Sequence, residues 1–213
     1  MVKVIVLGAH GQVAQLTEKM LLNDKSVETT LFLRNASRLN QDKDKATIIE
    51  GDATNEHELE EAIKGQDIVY ANLGGTGTIV KQAKAVVEAM KNDNVKRLIW
   101  ISTLGIYDEV AGKFGEWNKQ VLGNYITEYA KAAKIIEDSN LDYTIIRPSW
   151  MTNKDEVDYQ KIKKGEEITN TEVSRKSVAS YVYELIKNPN EDVDESIGLE
   201  KPHTEGNKPE WYR

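Results

Sequence analysis

The sequence contains no cysteine, only three histidines and no long apolar run. Without cysteine there is no disulfide framework, no thiolate nucleophile and no cysteine metal site. Because His10, His57 and His203 are far apart in the chain, we expect no metal site. No apolar stretch approaches the roughly 20 residues that span a bilayer, and a strand begins too early for a signal peptide. These absences favour a cytoplasmic protein that does not contact a membrane.

An excess of positive charge is also missing. Lysine and arginine number 28 against 35 aspartates and glutamates, which gives a formal net charge of −7. This balance argues against the phosphate backbone of a nucleic acid as the main partner. The chain has 213 residues, of which 39% are hydrophobic and 30% charged, and these values predict one globular domain with a substantial core.

What the chain does contain is a glycine turn near its beginning. Val2–Leu7 predicts a strand buried on both faces, and Gly8-Ala9-His10-Gly11-Gln12-Val13-Ala14 leads from it into a helix. The missing side chains of such a turn let main-chain amides approach a pyrophosphate at the positive end of the helix. A tight turn that needs glycine for a positive φ would explain one of the glycines but not both. The motif therefore predicts a nicotinamide dinucleotide site.

Two polar residues follow the next two strands. Arg34 ends the run Glu28–Leu33, 26 residues after Gly8, where such a fold recognises the adenosine ribose. An acidic residue there would bind the ribose hydroxyls of NAD, whereas Arg34 suits the 2′-phosphate of NADP. We therefore expect NADP, with NAD as the alternative, unless Arg34 is only a solvated surface residue. Asp52 follows the strand Ala46–Glu50 and could either accept a hydrogen bond from adenine or help to cap the next helix.

Polar and glycine residues also follow the later strands. Asn72-Leu73-Gly74-Gly75 is a second glycine-rich turn, which predicts either main chain close to the ligand or a flexible loop. Ser102 and Thr103 come directly after the fifth strand, at the level where a bound nicotinamide would end. Tyr107 lies on the same loop and could reach the site. These residues extend the predicted site beyond the first turn.

Strand and helix signals alternate along most of the chain. This alternation predicts a Rossmann-like, doubly wound α/β fold with a parallel sheet in the order 3-2-1-4-5-6. The pattern loosens after Trp150, so residues 1–213 are expected as a single domain in which about 150–200 form a small substrate cap and 202–213 a tail. The remaining predicted strands are Asp67–Ala71, Val95–Ile101, Tyr143–Ile146 and Ser196–Leu199, and the later helices are Ile79–Met90, Lys119–Asp138 and Ser177–Lys187.

With these pieces in place, the sequence resembles the atypical short-chain dehydrogenase/reductases, in particular their NAD(P)-binding, NmrA-like branch. The resemblance covers residues 1 to about 180. It implies Arg34 at the 2′-phosphate, Asp52 and Ala53 near adenine, and the main chain of Pro148 and Ser149 near the nicotinamide. The motifs that carry it are Gly8-x-x-Gly11-x-x-Ala14, Gly51-Asp52-Ala53, Asn72-Leu73-Gly74, Ser102-Thr103, Lys131, Leu141-Asp142-Tyr143-Thr144-Ile145-Ile146-Arg147-Pro148 and Ser174-Arg175-x-x-Val178-Ala179.

The sequence departs from this family at the catalytic helix. Typical members combine Tyr-x-x-x-Lys with a Ser or Thr; the lysine binds the nicotinamide ribose and lowers the pKa of the tyrosine, which transfers a proton. Thr103 and Lys131 match the hydroxyl and the lysine, but Thr127 stands where the tyrosine is expected. Tyr129 and Tyr125 lie about 200° and 240° around the helix from Lys131, so both are expected to point elsewhere.

The residues leave several functions open. The first is an NAD(P)H-dependent oxidoreductase that passes a hydride to a small acceptor such as a quinone or a conjugated carbonyl, with Thr103, Lys131 and Tyr107 as catalytic candidates. The second is a non-catalytic NADP-binding redox sensor with a protein partner. A third, a nucleotide-sugar epimerase or dehydratase, suffers from the missing tyrosine and the short carboxyl-terminal region. We favour the first, because Thr103 and Lys131 are both present.

Overall fold

The computed structural model describes residues 1–39 and 43–212. The strands are β1 (Val2–Leu7), β2 (Val27–Leu33), β3 (Thr47–Glu50), β4 (Ile68–Ala71), β5 (Arg97–Ile101), β6 (Asp142–Pro148), β7 (Trp150–Thr152), β8 (Gln160–Ile162), β9 (Glu172–Ser174) and β10 (Glu195–Glu200). The helices are α1 (Gln12–Leu21), α2 (Glu56–Ile63), α3 (Ile79–Asn92), α4 (Gly112–Leu122), α5 (Asn124–Glu137) and α6 (Arg175–Lys187).

The centre of the molecule is an eight-stranded sheet in the order β3-β2-β1-β4-β5-β6-β10-β8. The first six strands pair in parallel, so the predicted order 3-2-1-4-5-6 and the predicted fold class are confirmed. The last predicted strand is present as β10, which pairs in parallel with β6, and β8 closes the edge in the antiparallel direction. The strand order reverses between β1 and β4, and this is where such sheets open a crevice at their carboxyl edge.

Helices cover both faces of the sheet, as its continuous apolar strands require. Alternate residues of β1 face opposite sides because side chains alternate along a strand. Val4 and Val6 pack in the core that α1 and α6 cover, whereas Ile5 and Leu7 pack in the core formed with α2, α3 and α5. The carboxyl edge of the sheet is left as the place where loops can meet a ligand.

The prediction of one long helix over Lys119–Asp138 is wrong. The structure has two helices there, α4 and α5, which meet at Gly123. Gly123 has φ +49° and ψ −123°, a combination that residues with a Cβ rarely adopt, so the chain changes direction at this residue. Among the described residues, no helix is long and apolar enough to cross a membrane.

The region after β6 forms a small layer beside the sheet, in which β7 and β9 pair in parallel. Residues 202–212, expected as a tail, contain no helix or strand but pack against this layer. The ring centroids of Trp117 and Tyr212 are 4.9 Å apart, and those of Trp150 and Trp211 are 6.3 Å apart. The final residue of the expected tail, Arg213, lies outside the described residues.

Candidate functional site

The amino-terminal glycine turn folds tightly against the segment that follows β4. The Gly8 amide donates to the Phe32 carbonyl and the Gly11 amide donates to the Gly8 carbonyl, both at 2.9 Å. Gly8 has φ +77°, and a Cβ added there would collide with the main-chain oxygen of Asn72. A Cβ on Gly11 would collide with the side-chain nitrogen of Asn72. Gly8 is therefore required by its positive φ and by the main chain of Asn72, whereas a Cβ at Gly11 would displace the Asn72 side chain from the turn.

The turn ends at the positive end of α1. Gly11 occupies the N-cap position, and no side chain of the described residues caps the helix there. The first turn of α1 contains no acidic residue either. The amides of its first residues, which include Gln12 and Val13, are thus left to a ligand or solvent, and the helix dipole favours a negatively charged one.

A cavity of about 490 Å³ lies over this turn, within the volume range of small-molecule sites. It connects the carboxyl ends of β1, β2, β3 and β4. The structure therefore brings together nine of the predicted cofactor residues, namely Gly8, His10, Gly11, Arg34, Asp52, Ala53, Asn72, Leu73 and Gly74. The other residues that line it are Phe32, Leu33, Asn35, Arg38, Gly51, Thr54, Gly75, Thr78 and Gln82.

Two arginines in the segment after β2 lie on the rim of the cavity. Arg34 and Arg38 are exposed; Arg34 lies two residues before a short 3-10 turn at Ala36–Arg38, and Arg38 is the last residue of that turn. The Asn35 side chain accepts from the Ser37 amide at 2.9 Å and so shapes this turn. Two guanidinium groups on one short turn give the cavity a positive rim, to which a phosphate is complementary.

Asp52 follows β3, lines the same cavity and has a defined local role. Its Oδ1 accepts from the Thr54 amide at 2.8 Å, while Asn55 serves as the N-cap of α2. The Thr54 hydrogen bond, together with the charge of Arg34, holds the pKa of Asp52 below its ordinary value. The carboxylate is therefore an anion at neutral pH that faces the cavity, with one oxygen already used by the turn.

The residues after β5 and β6 lie outside the lining of this cavity. Ser102 and Thr103 are buried, and the Ser102 hydroxyl has no hydrogen-bond partner among residues 1–39 and 43–212. At the carboxyl edge of the sheet this hydroxyl can hydrogen-bond a ligand. Pro148 and Ser149 are also buried, and the Ser149 hydroxyl donates to the Asn170 carbonyl at 3.0 Å.

Lys131 and Tyr107, like Thr103, are absent from the lining of this cavity. Lys131 is exposed on α5, because the buried side of that helix holds Tyr129, Ala132 and Ala133. Tyr107 is directed away, since its hydroxyl donates to Glu137 at 2.6 Å near the end of α5. The roles expected for these two residues therefore remain predictions.

The same helix presents two residues that the sequence pattern did not select. Tyr129 is buried, and its hydroxyl lies 3.0 Å from the position of a Cβ on Gly74, which lines the cavity. Tyr125 lies one helical turn earlier and stacks on Tyr129, with ring centroids 4.1 Å apart. The two tyrosines lie on a different side of α5 from Lys131, as expected. That side, however, faces the loop that contains Gly74. The signal that could have identified them is their spacing of four residues, which is that of Tyr-x-x-x-Lys.

Comparisons with known proteins agree with this geometry. A family model described as NAD(P)H-binding matches residues 8–189. The UPF0659 protein YMR090W of Saccharomyces cerevisiae is 30% identical over 97% of this chain and 95% of its own length. Similarity to both the family and this relative therefore extends far beyond the first glycine turn.

Two solved structures are similar over nearly the whole chain. A Rossmann-fold NAD(P)-binding family protein from Shigella flexneri is 37% identical, with a TM-score of 0.86 and complete coverage of both chains. A short-chain dehydrogenase/reductase from Veillonella parvula, solved in complex with NADP, is 27% identical, with a TM-score of 0.87 and 99% coverage of each chain.

Proposed function

Because this chain belongs to the NAD(P)H-binding family of atypical short-chain dehydrogenase/reductase-like proteins, we propose that it is an NADP-dependent oxidoreductase. Its acceptor would be a small conjugated molecule, such as a quinone or a conjugated carbonyl. When bound, the dinucleotide would supply the hydride. The protein would supply the binding, the orientation of the reacting groups and the exclusion of water.

The observation that carries this proposal is that the amino-terminal glycine turn and the two arginines after β2 line one cavity. Gly8, Gly11 and the amino end of α1 fit a pyrophosphate. Arg34 and Arg38 fit the additional phosphate that distinguishes NADP from NAD, and no acidic side chain takes the place of Arg34 at the end of β2. The NADP found in the Veillonella parvula relative supports the same choice.

The nicotinamide end is proposed to lie over the carboxyl ends of β5 and β6. The Ser102 hydroxyl, which has no partner in the part of the chain that the structure describes, could donate a hydrogen bond to the ligand there, and Thr103 adjoins it. Pro148 and Ser149 end β6 beside them. Lys131 and Tyr107 are left out of this site because of their placement.

The test is steady-state oxidation of NADPH by the purified protein with a panel of quinones, flavins and conjugated carbonyls. We expect continuous turnover with at least one class of acceptor, and a lower kcat/KM with NADH. A Gly11→Ala variant should lose this turnover, because its Cβ would occupy the space of the Asn72 amide. Gly206→Ala is the matched control, since a Cβ there would make its nearest contact at an ordinary 3.4 Å.

A second candidate, a non-catalytic NADP sensor, is favoured by one observation. The only lysine that matches the catalytic pattern, Lys131, lies on the exposed side of α5. A sensor would bind NADPH tightly, oxidise it with none of the acceptors, and bind a protein partner in one redox state of the dinucleotide only. Tight binding without any turnover would therefore contradict the oxidoreductase and favour the sensor.

A further inference from the structure

The first two turns of α5 lie between the loops that follow β4 and β5. The Tyr129 hydroxyl approaches Gly74, and the Glu128 carboxylate accepts from the Gly77 amide at 2.6 Å. On the other side, the Ile126 side chain lies 3.4 Å from the position of a Cβ on Gly105. Because α5 connects the carboxyl end of β5 to the amino end of β6, these two turns lie at the carboxyl edge of the sheet.

Tyr125 and Tyr129 form a compact pair on this part of α5. They are four residues apart, on one side of the helix, and their rings stack at 4.1 Å with an interplanar angle of 23°. Tyr129 is only 2% exposed, whereas Tyr125 is half-buried. Tyr125 is therefore the more accessible of the two phenols.

Both phenols are held in their neutral form by their surroundings. Burial raises the pKa of Tyr125 above its ordinary value. Burial also raises the pKa of Tyr129, and a hydrogen bond with the Gly75 amide offsets only part of this effect. A neutral phenol can donate its proton, which a phenolate cannot do.

We propose that Tyr125 donates the proton to the acceptor and that Tyr129 is the positioning residue that holds Tyr125 and the Gly74-Gly75 turn in place. This inference rests on the proposed oxidoreductase function. The acceptor carbon gains a hydride from the reduced dinucleotide, and the acceptor oxygen gains the proton as the O–H bond of Tyr125 breaks. Water then returns a proton to the Tyr125 oxygen, so charge and atoms balance over the cycle.

In this proposal two phenols take the places of the tyrosine and the lysine of the family pattern. Tyr125 lies two residues before Thr127, and Tyr129 lies two residues before Lys131. No lysine occupies the second position, because Tyr129 stands there. The source of the proton should therefore differ between the two classes of acceptor. A carbonyl acceptor needs a placed acid, whereas a quinone can take its proton from water, so the two classes should depend differently on Tyr125.

The experiment compares Tyr125→Phe, Tyr129→Phe and Tyr143→Phe, the last being a control on β6 at the amino end of the sheet. Turnover is measured with one conjugated carbonyl and one quinone, and NADPH affinity is measured by calorimetry. We expect Tyr125→Phe to lower carbonyl kcat/KM about 100-fold or more, and to lower it much more than quinone kcat/KM. Tyr129→Phe should weaken NADPH binding roughly 2- to 10-fold, the effect of one lost hydrogen bond at the cavity. Tyr143→Phe should match the wild type in all three measurements.

Equal losses with both acceptors in Tyr125→Phe, or carbonyl turnover within threefold of the wild type, would overturn the donor role. Wild-type NADPH affinity in Tyr129→Phe would overturn the positioning role. If the wild type binds NADPH but reduces no acceptor, the proposed function fails and the donor role fails with it. The affinity of Tyr129→Phe would still decide whether Tyr129 supports the cofactor turn, so the two failures remain distinguishable.

Discussion

Arg34 is the residue that we expect to separate NADP from NAD. Its guanidinium lies on the cavity rim, where it can make charge-assisted hydrogen bonds with a phosphate but gains little from a ribose hydroxyl. Arg34→Ala should raise the Kd for NADP about 10- to 100-fold and the Kd for NAD less than threefold. Calorimetric titration with both dinucleotides measures the difference.

Lys96→Ala is the matched control for this substitution, because Lys96 is exposed and directly precedes β5 at the amino edge of the sheet. It should leave both dissociation constants unchanged. An equal loss of NADP and NAD affinity in Arg34→Ala would contradict the assigned role of the arginine.

Glu18 is the residue whose environment is least expected from the sequence. It lies on α1, fully buried, close enough to Tyr70 to affect its ionisation, and both carboxyl oxygens lack a partner among the described residues. Burial raises the pKa of Glu18 to about 8. The folded protein therefore keeps a proton that the unfolded chain releases above about pH 4.5. The stability that this proton contributes is complete below that pH and is lost as the pH rises toward 8.

This linkage predicts a pH dependence that a single substitution removes. Between pH 5 and pH 8 the free energy of unfolding of the wild type should fall by up to about 3 kcal/mol because of Glu18. Glu18→Gln carries no titrating proton and should show a flatter dependence in urea unfolding at the two pH values. The exposed Glu61→Gln on α2 is the control and should retain the wild-type slope. A wild-type slope in Glu18→Gln would refute the buried neutral carboxyl.

At the scale of elements, the first half of the fold follows directly from the order of residues. Apolar runs such as Val2–Leu7 end in glycine or polar turns, and each of the five predicted strands up to Ile101 is present with bounds shifted by at most two residues. The helix over Lys119–Asp138 could not be divided from the sequence. Helix-forming residues continue on both sides of Gly123, and only tertiary packing selects its positive φ.

The side of α5 that packs against the sheet could not be predicted from the sequence. Alanine and isoleucine occur at several helical spacings around Lys131, so the pattern alone does not decide which side packs against the sheet. The structure buries Ala132, Ala133 and Ile136 with Tyr129, and this places Lys131 on the exposed side. The pattern around Lys131 therefore does not show that the tyrosine side of α5 is the side that faces Gly74.

Gly123 offers a direct test of the division between α4 and α5. A side chain at φ +49°, ψ −123° is strained, so Gly123→Ala should lower the free energy of unfolding by about 1–3 kcal/mol. Urea unfolding measures the change, with Gly206→Ala as a control that should stay within about 0.5 kcal/mol of the wild type. Unchanged stability in Gly123→Ala would indicate that α4 and α5 do not require this conformation.

At the scale of the whole molecule, the site is a consequence of the sheet topology. The strand order reverses between β1 and β4, so the turns after these strands diverge and leave a crevice that the loops after β2 and β3 enclose. The lining of the cavity could be predicted in large part because it consists of turns that directly follow strands. The aromatic cluster of Trp117, Trp150 and Tyr212 could not be predicted, because α4, β7 and the carboxyl-terminal residues come together only in the folded chain.

The central claim is that the amino-terminal turn and its cavity bind a nicotinamide dinucleotide. Isothermal titration of NADPH into the purified protein, beside Gly11→Ala and Gly206→Ala, tests it most directly. We predict saturable one-site binding to the wild type and to Gly206→Ala, with an affinity at least tenfold weaker in Gly11→Ala. No saturable heat with NADPH or NADP at millimolar concentration, or equal affinity in Gly11→Ala, would contradict the claim.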